Sequence, residues 1–92
     1  MQKAKTRSQI LYGCSNLKIV EIQRLFGYTR DKAKRVHDLA MQIDREELGK
    51  WIIDPVNPRL ETVLKVTRVS FNRLAKQIEN ADALAQQSAN VG

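Results

Sequence analysis

Cysteine and histidine each occur once, as Cys14 and His37. One cysteine cannot close a disulfide within the chain, and one Cys with one His assembles no metal-ligand set. We therefore expect no metal and no cofactor. Aromatic residues make up only 5% of the chain, which argues against single-strand recognition, where bases stack on exposed rings. No apolar run approaches the ~18 residues of a membrane span. The first apolar stretch, Ile10-Leu11-Tyr12, is too short for the core of a signal peptide. The expectation is a cytoplasmic protein with no membrane partner. No serine or cysteine stands out beside a base and an orienting group, so the chain reads as a non-enzyme with no small-molecule substrate. At 92 residues it fits one small domain with little volume for a deep pocket.

Acidic charge is the scarcer sign. Sixteen Lys and Arg face ten Asp and Glu, giving a net charge of +6. The basic residues are clustered. Lys3, Lys5 and Arg7 precede any acid; Arg30, Lys32, Lys34 and Arg35 accompany Asp31 alone; Arg59, Lys65, Arg68, Arg73 and Lys76 accompany Glu61 alone. Clustering of this kind suits a phosphate-contacting face. No internal repeat stands out.

From Leu17 the pattern is helical, with Ile19, Ile22, Leu25 and Phe26 at spacings of three and four. Gly27 stops this helix as a left-handed terminal residue, and Thr29 offers a hydroxyl to cap a second. The second helix has its apolar side at Ala33, Val36, Ala40 and Ile43 and runs to Gly49. Two helices about Gly27-Tyr28-Thr29 make a helix-turn-helix. Ala33 is small where the helices cross, and Arg30, Lys34 and Arg35 stand where side chains reach phosphates and base edges.

Beyond Gly49, Trp51-Ile52-Ile53 is a short β-prone run, and Asp54-Pro55-Val56-Asn57-Pro58 is dense in turn formers. Residues 62–69 hold Thr62, Val63, Val66, Thr67 and Val69. Read as strand, turn and strand, with residues 51–54 paired to 63–69, this is a β-hairpin wing. The wing would carry Arg59 near its tip and set Lys65 and Arg68 along the DNA backbone. A competing pattern runs through the same stretch. Leu60, Leu64, Thr67, Phe71, Leu74, Ile78 and Ala81 also recur at three and four, which suits one long helix from Pro58 to about Ala85. The β-branched density favours the hairpin.

The resulting fold class is mainly α with a small β-hairpin, a winged helix-turn-helix, the alternative being all-α with a long C-terminal helix. Residues 1–16 read as a basic arm, 17–85 as the winged domain and 86–92 as a frayed tail. Leu17-Lys18-Ile19-Val20-Glu21-Ile22 with Leu25-Phe26-Gly27 resembles the opening helix of the excisionase-like winged helix-turn-helix proteins of bacteriophages and conjugative transposons, distant relatives of the MerR-type domain. Thr29 to Val36 is similar to their recognition helix, Trp51-Ile52-Ile53 to their first wing strand, and Lys65 to Val69 with Phe71 and Leu74 to the second strand and closing helix. The resemblance implies a duplex DNA-binding protein, an excisionase or a transcriptional regulator, working with a site-specific integrase or with copies of itself on adjacent sites.

The candidate DNA-contacting residues are Lys18, Thr29, Arg30, Lys34, Arg35, Arg59, Lys65 and Arg68. Trp51 is expected to plug the core. His37 is expected to be packed or half-exposed, and Asp44, Glu46 and Glu47 to form a solvated face. A second hypothesis makes the chain a protein-interaction module that docks through its C-terminal helix.

Overall fold

The computed structural model describes residues 5–90. The first four residues of the basic arm, Lys3 among them, lie outside the described residues, as do Val91 and Gly92 of the tail. Five helices follow in order: α1 (Arg7–Gly13), α2 (Ile19–Phe26), α3 (Arg30–Leu48), α4 (Leu60–Thr67) and α5 (Phe71–Asn90), with a 3-10 turn at Gly49–Trp51.

Four of the five helix starts have a local cause, while that of α4 is met from α3 by Asp44, which accepts from the Arg59 N–H. Thr6 caps α1: its hydroxyl accepts from the Gln9 N–H at 3.2 Å, and Gln9 Oε1 accepts from the Thr6 N–H at 2.9 Å. Glu21 Oε1 accepts from the Lys18 N–H at the start of α2, at 2.9 Å. Thr29 Oγ1 accepts from the Lys32 N–H at the start of α3, and Ser70 Oγ from the Arg73 N–H at the start of α5. The core gathers Ile10 and Leu11 of α1, Leu17, Ile22 and Leu25 of the α2 segment, Ala33, Val36 and Ala40 of α3, Val63 of α4, and Leu74 and Ile78 of α5. Helix α3 packs on both α2 and α4, and α1 on α2 and α5. The stretch read as an arm leading into a short ordered segment thus contributes a helix and two core residues.

The winged fold is corrected here. Among the described residues there is no strand, only a single antiparallel bridge between Asn16 and Arg59. Residues 51–54 form the end of the 3-10 turn and irregular chain, and residues 63–67 lie in α4. The β-branched residues that suggested a strand are accommodated helically. Thr62 and Val63 are fully buried, and Thr67 Oγ1 donates back to the carbonyls of Val63 and Leu64 at 2.9 and 3.2 Å. Burial on a three-and-four stripe outweighs an intrinsic β preference of under about 1 kcal/mol per residue. The all-α alternative fits, except that its one long helix is two: Arg68 adopts a left-handed conformation, φ 58°, and separates α4 from α5.

The break reveals a repeat. Helices α2 and α4 each have eight residues and end in a left-handed residue, Gly27 and Arg68. In both, the next amide reaches back to the same place: Tyr28 N–H to Gln23 O at 3.1 Å, and Val69 N–H to Leu64 O at 3.2 Å. A hydroxyl cap then follows, Thr29 or Ser70, and its carbonyl accepts from a buried residue, Ala33 or Leu74. The helix, left-handed turn and cap thus occur twice, at α2–α3 and at α4–α5; in the first unit the two helices pack on each other, whereas in the second α4 packs on α3 and α5 on α1. Leu17 N–H donates to Pro58 O, and these two residues are themselves counterparts. This bond and the adjacent Asn16–Arg59 bridge run antiparallel and tie the segment before α2 to the segment before α4.

Candidate nucleic-acid interface

The turn between α2 and α3 is set by Gly27, φ 72° and ψ 28°. A Cβ built there would meet no heavy atom within 4 Å. The cost of a side chain is therefore purely conformational. Gly27→Ala is expected to lower stability by about 1–2 kcal/mol; a urea or thermal melt measures it, and an unchanged midpoint would mean that the turn relaxes freely. Tyr28 stacks on Phe26, centroids 5.3 Å apart, and the Lys32 ammonium sits 4.3 Å from the Tyr28 ring centroid. These contacts and the Thr29 cap fix the direction in which α3 begins.

Arg30, Lys34 and Arg35 are exposed. At 100° per residue, the buried positions Ala33, Val36, His37, Ala40, Met41 and Asp44 define one side of α3. Arg35 then points almost directly away from the core and Lys34 lies at the edge between the two sides, while Arg30, angularly on the buried side, is exposed because it opens the helix. Their side chains make no ion pair or hydrogen bond among the described residues. Lys18, exposed at the start of α2, is likewise unpaired. Arg30, in the first turn of α3, opposes the helix dipole, and Lys34 and Arg35 have no partner among the described residues that would stabilise the fold.

The other cations divide differently. Lys5 pairs with the buried carboxylate of Glu21 at 3.1 Å, Arg7 Nε donates to Leu25 O, and Arg24 donates to Lys5 O. These residues fasten α1 to α2. Arg59, expected at a wing tip, instead bonds Asp44 through its backbone N–H at 2.9 Å, Nε at 3.1 Å and Nη2 at 2.9 Å, and also pairs with Glu47 and Glu61. Lys65, expected on the wing strand, is exposed on α4 and pairs with Glu47 at 3.3 Å. Arg68, also expected on that strand, is the exposed left-handed residue after α4. The structure thus brings Thr29, Arg30, Lys34 and Arg35 together at one helix start and ties Arg59 and Lys65 to acids.

Sequence reasoning missed Asp44. Read as part of a solvated face, it is 1% exposed and accepts from Thr62 Oγ1 as well as Arg59. Burial pushes its carboxyl upward, but the bonds from Thr62 and Arg59 outweigh this and hold it below the usual carboxylate range. The available signal was its register: Asp44 continues the Ala33-Ala40 stripe, four residues after Ala40. Lys32 was also passed over, though it shares the first turn. Trp51 is not a core plug; it is 75% exposed and, with Leu48, Ile52, Ile53 and Leu60, lines an apolar groove of about 530 Å³ that shares no residue with the start of α3. His37 is buried, its Nε2 lying 3.2 Å from Asn57 Oδ1. Among the described residues no group of His, Cys, Asp or Glu is placed to hold a metal ion, and no helix is long and apolar enough to cross a membrane. Comparison with protein-family models, with curated proteins and with solved structures returns no match.

Proposed function

We propose that the chain is a duplex DNA-binding protein that sets the start of α3 in the major groove. The observation that carries this reading is the cluster of unneutralised Arg30, Lys34 and Arg35 in the first two turns of a capped helix. Arg35 faces outward to read a base edge, and Arg30, Lys34 and Lys18 flank it for phosphates. The resemblance of residues 17–36 to the helix-turn-helix of excisionase-like proteins supports the same assignment. The wing portion of that resemblance does not carry over, because residues 51–69 form no hairpin.

Fluorescence anisotropy on a labelled duplex tests the reading. Each phosphate contact contributes about 0.9 to the slope of log affinity against log salt. Phosphate contacts from Lys18, Arg30 and Lys34 give this surface a slope of about −2.7 and a roughly 40-fold loss of affinity between 50 and 200 mM salt. Absence of binding at low salt by the folded protein would reject it.

A further inference from the structure

The repeated turn gathers a second set of basic side chains about the start of α5, one of them at the position of Arg35. Aligned by the two turns, Lys76 stands at the position of Arg35, Arg73 at that of Lys32, and Arg68 at that of Gly27. Asn72 replaces Asp31, so the unit loses its one acid there; no Asp or Glu occurs between Glu61 and Glu79. Arg68, Arg73 and Lys76 are all exposed and make no side-chain ion pair or hydrogen bond among the described residues. The two cations of this half that do have acidic partners, Arg59 and Lys65, lie at the other end of α4 or on its Glu47 side. Arg68 is also the one non-glycine residue with positive φ among the described residues. A left-handed turn that glycine fills without strain in the first unit is here filled by a guanidinium. At the first helical position, Phe71 replaces Arg30 and packs edge-on to Tyr12, centroids 5.9 Å apart. The second unit therefore keeps the net charge of the first but has a lysine, Lys76, where the first has the outward-facing Arg35, and no cation at the position of Arg30.

We propose that α4–α5 is a second duplex-DNA-contacting surface, in which Arg68, Arg73 and Lys76 bind backbone phosphates without reading sequence. It rests on the DNA-binding reading of α3 and extends it: α3 specifies, α5 adds affinity.

Two variants test this, with anisotropy measured on duplexes of different sequence and folding checked by circular dichroism and melting. Arg68→Gly relieves the left-handed strain, so its Tm should rise by about 2–5 °C. Its duplex affinity should nonetheless fall about fivefold near 150 mM salt, with a salt slope smaller by about 1. R73A/K76A should fold normally, bind every duplex about 30-fold more weakly and lose about 2 from the slope. Both losses should be the same whatever the sequence. Wild-type affinity and slope in R73A/K76A, with the wild-type protein binding duplex, would overturn this proposal and leave the α3 reading standing. Failure of the wild-type protein to bind any duplex would overturn both.

Discussion

Asp44→Ala is expected to cost about 3 kcal/mol, a third or more of the stability of a domain this size. The carboxylate is buried and accepts four hydrogen bonds, three from Arg59 and one from Thr62. It joins α3 to the start of α4 and to the bridge between the segments before α2 and α4. Its removal strands the Thr62 hydroxyl, which is fully buried, and leaves Arg59 with only its outer partners, Glu47 and Glu61. Because the Arg59 side chain is 28% exposed, the cost falls at the lower end for a broken buried pair. The melting temperature should drop by roughly 12–24 °C. A drop of under 3 °C would show that the network is replaceable by solvent.

The same network sets the acid limb of stability. Asp44 is held below the usual carboxylate range. So is Glu21, where burial opposes, but the Lys18 amide and the Lys5 ammonium outweigh it. A carboxyl whose folded pKa is depressed binds protons more readily when unfolded. Its contribution is therefore complete above the unfolded value, near pH 4–5, and is lost as pH falls toward the folded value. On account of these groups stability should be flat from about pH 5 upward and should fall as the pH drops below about 4. Asp44→Asn should flatten that limb while lowering the plateau.

The triple variant R30A/K34A/R35A should lose duplex affinity by a hundredfold or more at moderate salt. Two phosphate contacts account for about 30-fold, and a base-edge contact by the third adds about 1–3 kcal/mol that depends on sequence. Its stability should be unchanged or higher by a few tenths of a kcal/mol, because cations at a helix start oppose the dipole. Anisotropy with parallel melts measures both quantities. Loss of binding accompanied by loss of fold would point to a structural role instead.

The first helix-turn-helix was legible because its signals are local. Gly27 announces a positive φ, Thr29 a cap, and the Ala33-Val36-Ala40 stripe a packed face, and all three occur as read. The second unit was hidden because its turn residue is arginine, which gives no sign of a left-handed conformation, and because Thr62, Val63, Val66 and Thr67 suggest strand. Only the long-range packing of α4 on α3 decides between the patterns. The roles of the cations were legible only in part. Sequence groups Arg59 and Lys65 with the free basic residues, but the fold brings Asp44 and Glu47 to them from twelve to eighteen residues away. No sequence spacing reports such pairing. Trp51 shows the converse: an aromatic residue in a chain with few suggests core, yet the 3-10 turn leaves it on the surface.

The most direct measurement is a titration of isotope-labelled protein with a duplex, followed by amide chemical shifts. The expected response to DNA lies at Lys18 and at Thr29 to Arg35, with a weaker, sequence-independent response at Arg68 to Lys76. Perturbation should concentrate there, leave Trp51 to Asp54 unmoved and fade as salt rises. Shifts confined to the apolar groove around Trp51 and Ile53, or no shifts at all at low salt, would contradict it.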